Sequence, residues 1–385
     1  MDIYRLIHRK ANLWLFAIIY VLFLITQVRL FGRVSQNEST LIFQNVRTTG
    51  KVPDAEDVAK NPSPVLPKFD DQSGGVAGSV GGVVLFYHVA KTGGSTIRSL
   101  FKTIERNNPG EYKYMRSLNR LWQHESNSPR IRKAPTEYSS SCVPQGFLNG
   151  TMRSLDQAIE ESILGTKTNA IDDNAHNKNN KKTLLLEIHG GPPGMDLLTS
   201  RIAKWRELSK AHGTPFFAFT LIREPTSYSI SYFKFFYVDC LREKLPFCER
   251  ADYNATEKGL LEATVPNRQC FLFKHLSSIA GMDPSFYDQC SVTEEDCRNT
   301  YAALKESMDW IGTTEGLSTE TIPLLLHTLF ADDSKIDEFM VKNEKVANRS
   351  PFEESLQEST LEKLHAMNTH DQWIYDQVKS RYLPH

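Results

Sequence analysis

The chain has 385 residues, of which 40% are hydrophobic, and its formal net charge at pH 7 is −1. This length and composition allow one large folded domain or two ordinary ones. A charge this close to zero argues against a general nucleic-acid binder. Residues 1–33 carry a net charge of +4, so the remainder carries −5. Any anion site on the remainder must therefore be a local groove and not a broad basic surface.

The N-terminal region predicts a membrane anchor. Residues 13–25, LWLFAIIYVLFLI, are apolar without a break and extend to 18 residues over 11–28, near the lower limit for a membrane span. The preceding Arg5, Arg9 and Lys10 favour a cytoplasmic N-terminus. The alternative, a cleaved signal peptide, lacks an A-x-A-like site after the apolar core. We expect a single-pass type II membrane protein with a cytoplasmic tail at 1–10, a signal-anchor helix at 11–28, a stem at 29–82 and a lumenal domain at 83–385.

Two further features agree with a lumenal domain. Four N-x-[ST] glycosylation triplets begin at Asn37, Asn149, Asn254 and Asn348, and all six cysteines follow the apolar span. An even number of lumenal cysteines is typical of disulfide-bonded proteins. Short spacing predicts the disulfides Cys240–Cys248 and Cys290–Cys297, which leaves the pairing of Cys142 with Cys270 open.

The lumenal region alternates strand and helix patterns. Short apolar runs predict buried strands at Val83–His88, Thr183–His189 and Phe216–Ile222, with a weaker one at Trp310–Gly312. Helical patterns separate them, at Ser95–Ile104, Leu197–Lys210 and Ser229–Val238. Such alternation predicts an α/β fold with a mostly parallel sheet covered on both faces. Ligands bind such sheets at the carboxyl ends of the strands. The polar segment 165–182 is typical of a solvated loop.

The first strand is followed by HVAKTGGST, residues 88–96, which has the composition of an anion-binding turn. Gly93 and Gly94 let backbone amides approach an anion closely, and Ser95 or Thr96 can cap the following helix. Lys91 precedes the glycines, whereas a Walker loop places its lysine after them. The alternative is an ordinary turn between a strand and a helix.

Polar residues also follow the other two strands. LIREPTSYSISYF, 221–233, places Arg223 at a strand end and Ser231 eight residues later; the alternative is a surface arginine paired with Glu224. LEIHGGPPG, 186–194, places His189 at a strand end before two glycines, where a neutral imidazole can act as a general base. Glu187 and His88 are the competing bases, and a structural role for the histidine is the remaining alternative.

Together these three segments resemble the Golgi-type, membrane-bound carbohydrate sulfotransferases, especially the uronosyl and heparan sulfate 2-O-sulfotransferases and the galactose 3-O-sulfotransferases. The resemblance covers roughly residues 83–385 and includes DWIGTTEGLSTETIPLLL and VKNEKVANRSP. It implies a P-loop-like, PAPS-dependent sulfotransferase fold, where PAPS is the cosubstrate 3′-phosphoadenylyl sulfate. It also implies a carbohydrate acceptor, no metal and a Golgi membrane location.

The resemblance assigns a role to each matching residue. The 5′-phosphosulfate of PAPS would be held by Lys91, Thr92, Gly93, Gly94, Ser95 and Thr96, and the 3′-phosphate by Arg223 and Ser231. His189 would be the catalytic base, and Lys91 would also stabilise the leaving phosphate. The sequence departs from the family at Tyr228, where many relatives carry a further cation.

Other functions compete with this interpretation. A signal-anchored glycosyltransferase would usually carry a D-x-D motif, and no two aspartates have that spacing. A non-catalytic glycan-binding protein on a sulfotransferase fold is the third alternative. Basic clusters at Arg130–Lys133 and Arg201–Arg206 are candidates for a groove that binds an acidic polysaccharide, or are solvated surfaces. No nucleic-acid partner is expected, and the sequence leaves the oligomeric state open.

Overall fold

The structure of the protein is a computed structural model. It describes residues 81–117, 145–165, 182–189, 194–239, 255–274, 291–330, 336, 339 and 351–380. The predicted tail, anchor helix and most of the stem lie outside these residues, as do Gly190, Gly191, Cys240 and Cys248. Within the described part of the chain, no helix combines the length and apolarity needed to cross a bilayer.

The core of the fold is a five-stranded parallel sheet in the order β2-β3-β1-β4-β5. The strands are β1 Gly82–His88, β2 Tyr112–Ser117, β3 Thr183–His189, β4 Phe216–Ile222 and β5 Trp310–Thr313. The four predicted strands are confirmed to within one residue at each end. The edge strand β2 was not predicted, because its sequence YKYMRS alternates polar and aromatic residues and lacks a continuous apolar run.

Helices connect the strands and cover both faces of the sheet, as the alternating pattern predicted. In chain order they are α1 Gly94–Asn107, α2 Gln145–Leu164, α3 Met195–Ala211, α4 Pro225–Phe233, α5 Glu257–Ala263, α6 Arg268–Lys274, α7 Glu294–Ser307, α8 Ile322–Leu329, α9 Pro351–Glu354, α10 Glu358–Met367 and α11 Thr369–Ser380. Two π-helical segments, Lys234–Asp239 and Leu317–Thr321, follow α4 and precede α8. The predicted helix 229–238 is therefore an α-helix that changes to π geometry after Phe233.

Strand alternation divides the core into two layers. On one face, Val84 and Phe86 of β1 pack with α1 and α8, which contribute Ile97 and Leu325. On the other face, the intervening residues of β1 and β3 pack against α2, α3, α7 and α11. Each fully buried large apolar side chain stabilises the fold by about 1.5–3 kcal/mol. The two layers thus hold the carboxyl edge of the sheet in a fixed register, where the predicted site residues lie.

A disulfide joins Cys270 on α6 to Cys297 on α7, so the predicted Cys290–Cys297 bond is wrong, and the pairing of Cys270 that the sequence left open is with Cys297 and not with Cys142. Short sequence spacing favoured Cys290 as the partner. Instead, the Thr293 capping box starts α7 four residues before Cys297, and the buried side chain of Cys297 lies in the core with residues of α6. The expectation of a disulfide-bonded domain is confirmed, although its partners differ.

Candidate functional site

The register of the central strands places polar residues of three strands on one face of the sheet. His88 of β1 and His189 of β3 are Cα partners at the carboxyl edge. Two residues earlier, Glu187 pairs with Arg116 of β2 on one side and with Phe86 of β1 on the other. Because alternate residues share a face, these side chains lie on the side of the sheet that α1 covers.

Glu187 is completely buried and is the centre of a hydrogen-bonded cluster. Its Oε1 lies 2.8 Å from Nδ1 of His88 and accepts from Nη2 of Arg98 at 2.7 Å. Its Oε2 accepts from Nε of Arg98 at 3.0 Å and from the hydroxyl of Tyr114. Burial alone raises the pKa of Glu187, but the hydrogen bonds from His88 and Arg98 outweigh it and leave the pKa well below its usual range. An ionised carboxylate whose acceptor positions are all in hydrogen bonds is a poor general base. Glu187 instead orients the side chains that it binds.

His88 is buried and links Glu187 to the loop after β1. Because an ionised Glu187 can only accept, Nδ1 of His88 carries the proton and donates it. The imidazole lies directly against Gly94, where the Cβ atom of any other residue would come within 1.8 Å of Nε2. Gly94 is therefore required for close packing at the start of α1. Burial lowers the pKa of His88, and Glu187 opposes that effect.

His189 is the more accessible of the two histidines. Its ring stacks on that of His88 with centroids 4.0 Å apart, and its Nδ1 lies 3.4 Å from the carbonyl oxygen of His88. Burial, and then the electrostatic interactions with His88 and Arg116, hold the pKa of His189 well below 6.5. The imidazole is thus neutral at pH 7. With Nδ1 facing a carbonyl, Nε2 is the nitrogen with a lone pair available for a proton.

The loop after β1 forms a tight turn that leads directly into α1. Lys91 and Gly93 both have positive φ, 69° and 79°, and the buried Thr92 hydroxyl donates to the carbonyl of Val89 at 2.8 Å. Gly93 is the N-cap of α1 without a side-chain cap, so the predicted capping by Ser95 or Thr96 is wrong. The amide of Thr96 donates to the carbonyl of Gly93 at 3.0 Å. Of the predicted anion-binding amides, those of 93–95 make no hydrogen bond to any described residue.

The structure brings Lys91 and Arg223 together, although they are far apart in sequence. Nη1 of Arg223 donates to the carbonyl oxygen of Lys91 at 3.4 Å. The Lys91 ammonium lies 4.2 Å from the ring centroid of Phe235 on the π-helical segment after α4. Burial, and then the charge of Arg223, lower the pKa of Lys91 to about 8. Two half-buried cationic side chains, Lys91 and Arg223, therefore lie close together at the carboxyl edge of the sheet, beside the amides of the loop.

The backbone of Arg223 is fixed by a side chain from α6. Its amide donates to Oε1 of Gln269 at 2.9 Å, and its carbonyl accepts from Nε2 of Gln269 at 2.8 Å. The fully buried Asp371 in turn accepts from the amide of Gln269, and burial raises its pKa to about 7. Glu224, which the alternative interpretation paired with a surface arginine, caps α4 by accepting from the amide of Thr226 at 2.9 Å.

The remaining predicted residues have simpler environments. Ser231 lies in the second turn of α4 and is half-buried, and its hydroxyl has no hydrogen-bond partner among the described residues. Tyr228 is buried in the core. The arginines that begin and end the basic cluster 201–206 bind Asp156 and Asp309, so they are engaged in ion pairs within the domain. The cluster 130–133 lies outside the described residues.

Sequence reasoning missed the residues around Glu187. Arg98 follows the glycine turn by one helical turn and has the appearance of a solvated helix residue. Tyr114 and Arg116 lie on the strand that was not predicted. Their alternation in YKYMRS is the signal that could have identified a strand with one polar face.

His88, Glu187 and His189 bring three potential ligand atoms within 4.8 Å of one another. However, Arg98 occupies both carboxylate oxygens of Glu187, and Nε of Arg116 lies 3.7 Å from Oε1. A divalent cation would have to displace or approach two guanidinium groups. The cluster therefore suits proton transfer or anion binding better than metal coordination.

Comparison of the chain with protein-family models finds no match, and comparison with curated proteins finds none either. The class of protein is thus defined by its fold and site alone. It is an α/β domain with a parallel sheet compatible with a P-loop-like fold. Its carboxyl edge carries a glycine turn with three amides that bind no described residue, two neighbouring cationic side chains and a neutral histidine.

Proposed function

We propose that this protein transfers a sulfuryl group from PAPS to a hydroxyl of a carbohydrate acceptor. The observation that carries the proposal is the contact between Lys91 and Arg223 at the carboxyl edge of the sheet. Lys91 follows β1, the strand next to the one that ends at the neutral His189. The resemblance of HVAKTGGST and LIREPTSYSISYF to the carbohydrate sulfotransferases supports the same interpretation. The domain would then be a PAPS-dependent sulfotransferase held in the Golgi lumen by the 11–28 anchor.

The two anionic parts of PAPS match the two basic parts of the site. The amides of Gly93, Gly94 and Ser95 and the ammonium of Lys91 would hold the 5′-phosphosulfate, since a helix N-terminus favours an anion. The guanidinium of Arg223, with the hydroxyl of Ser231, would hold the 3′-phosphate, because arginine binds phosphate through a planar fork of donors.

His189 would be the general base of an in-line displacement. Its Nε2 takes the proton of the acceptor hydroxyl while the hydroxyl oxygen attacks sulfur and the bond between sulfur and the bridging phosphate oxygen breaks. The products are the sulfate ester, the leaving phosphate and a protonated His189. Lys91 would stabilise the charge on the leaving phosphate. The negative charge of Glu187, which raises the pKa of His189, would stabilise the imidazolium that forms.

Calorimetric titration with two nucleotides tests the cosubstrate site. PAP, which carries the 3′-phosphate, should bind the wild type more tightly than AMP, which lacks it. A charge-assisted hydrogen bond contributes about 1.5–3 kcal/mol, so Arg223→Ala should weaken PAP about 10- to 100-fold and leave AMP nearly unchanged. Arg106→Ala, which removes an exposed arginine of α1, is the matched control. Unchanged PAP affinity in Arg223→Ala would show that the 3′-phosphate half of the site is misassigned.

A further inference from the structure

Arg116 lies on the same face of the sheet as the two histidines but has no role in the proposed chemistry. It is near the carboxyl end of edge strand β2 and is the Cα partner of Glu187. Its side chain is 21% exposed, so it is not fully enclosed by the domain. Because Glu187 is two residues before His189 on β3, Arg116 lies on the neighbouring strand two register positions before the candidate base and on the same face.

The hydrogen bonds that Glu187 already accepts leave Nε of Arg116 without a hydrogen-bond acceptor. A carboxylate offers about four acceptor positions, and Glu187 uses them for His88, Tyr114 and two nitrogens of Arg98. Nε of Arg116 is 3.7 Å from Oε1, too far for a hydrogen bond. This nitrogen is buried and has no partner in the described part of the chain.

The cluster also has one positive charge in excess. Glu187 carries −1, Arg98 and Arg116 carry +1 each, and both histidines are neutral, so the sum is +1. The only ion pair of Arg116 among the described residues is the 3.7 Å contact with Glu187, a carboxylate that Arg98 already binds, so this contact compensates poorly for the hydration that the guanidinium loses on burial. An anion that arrives with a ligand would complete the cluster.

The order of the strands separates this anion from those of PAPS. From β2 to β4, the carboxyl edge presents Arg116, His189, then the loop of Lys91, and then Arg223. Neighbouring strands are about 4.8 Å apart, so β2 and β4 are about 14 Å apart. The histidine thus lies between Arg116 and the cations assigned to PAPS. Since PAPS would occupy the β1 and β4 side of His189, the acceptor glycan would approach the base from the β2 side.

We propose that Arg116 binds an oxyanion of the acceptor glycan, a carboxylate or a sulfate ester, close to the hydroxyl that reacts at His189. The acceptor would therefore be an acidic glycan. This assignment rests on the proposed sulfotransferase function for the identity of the reaction, and on the geometry of the cluster for the charge of the acceptor.

Three oligosaccharides distinguish the sources of the oxyanion. The first is an unsulfated oligosaccharide that contains glucuronate, the second is the same compound with its carboxyl groups reduced to alcohols, and the third is a sulfated form of the reduced compound. Sulfuryl transfer from labelled PAPS to each is measured with the wild-type chain, Arg116→Gln and Arg116→Lys. Lys113→Gln is the matched control, because it removes the same charge from an exposed position of the same strand.

The wild type should use one of the two acidic oligosaccharides at least about tenfold better, in kcat/KM, than the neutral one. Arg116→Gln should lose about 10- to 100-fold on that acidic acceptor, change little on the neutral one and bind PAP normally. Arg116→Lys should retain part of the preference, and Lys113→Gln all of it. An equal loss on acidic and neutral acceptors would overturn the proposal by making Arg116 a structural partner of Glu187. So would a wild type that does not discriminate between them.

A binding measurement separates this proposal from the proposed function. If no oligosaccharide accepts label, the sulfotransferase proposal fails, and equilibrium binding of the three compounds then tests Arg116 alone. Tighter wild-type binding of an acidic compound that Arg116→Gln abolishes would support an oxyanion subsite. Equal affinity of both proteins for all three compounds would refute it.

Discussion

The lowered pKa of Lys91 makes the binding of PAP depend on pH. With a pKa of about 8 in the free protein, Lys91 is about 90% charged at pH 7 and about 25% charged at pH 8.5. A phosphate bound against the ammonium would raise its pKa toward the ordinary value of 10.5. Binding of PAP should therefore take up about 0.1 proton at pH 7 and about 0.75 proton at pH 8.5.

The sign of the effect on affinity follows from the same shift. Binding raises the pKa of Lys91, so PAP affinity is full below pH 8 and weakens as the pH rises through 8, by up to about tenfold per pH unit. Calorimetry at pH 8.5 in two buffers with different enthalpies of ionisation measures the proton uptake directly. Lys91→Met should abolish most of the uptake, whereas Lys102→Met, which removes an exposed lysine of α1, should not.

Equal heats in the two buffers at pH 8.5 would refute the reasoning. That result would mean either that the bound anion does not approach Lys91 or that burial and the charge of Arg223 do not lower its pKa. Arg223→Ala offers a second check, because the charge of Arg223 is the second cause of the lowered pKa. In this variant the onset of proton uptake should move to higher pH.

Three further predictions follow from the packing of the site. His189→Ala should lower kcat about 10²- to 10⁴-fold and leave PAP affinity nearly unchanged. Wild-type activity should decline only below pH 6.5, because burial lowers the pKa of His189. A selective loss of activity in His88→Ala instead would transfer the role of base to His88. Gln269→Leu should weaken PAP several-fold with AMP less affected, because it releases the backbone of the arginine after β4, and a variant with wild-type affinity for both would show that this clamp is not needed. Gly94→Ala should lower the free energy of unfolding by about 1–3 kcal/mol in denaturant, because its Cβ would collide with His88. Gly110→Ala, whose Cβ would meet nothing within 4 Å, should not. Equal stability of the two variants would contradict the packing described for His88.

Local sequence patterns predicted most of the sheet because four strands are continuous apolar runs, buried on both faces. They could not predict β2, since an edge strand with one polar face resembles a loop in composition. The position of His189 was predictable, because each of the three motifs follows a strand and parallel strands align their carboxyl ends. The partners of Glu187 were not, since Arg98 and Tyr114 reach it only through the register of β2, β3 and α1.

The role of Gly94 also depended on tertiary structure. The sequence suggested a glycine that lets an anion approach, whereas the structure adds a ring of His88 in the space that a side chain would fill. The disulfide shows the same limit, because the partner of Cys297 is set by the packing of two helices and not by distance along the chain.

The central claim is that the protein moves a sulfuryl group from PAPS to a glycan. The most direct measurement incubates the purified chain with ³⁵S-labelled PAPS and a panel of neutral and acidic glycans, and follows both labelled glycan and PAP. We expect label to enter a glycan in an amount equal to the PAP released, and we expect His189→Ala, with intact PAP binding, to stop both. PAPS that remains intact with every acceptor while the chain binds PAP tightly would contradict it.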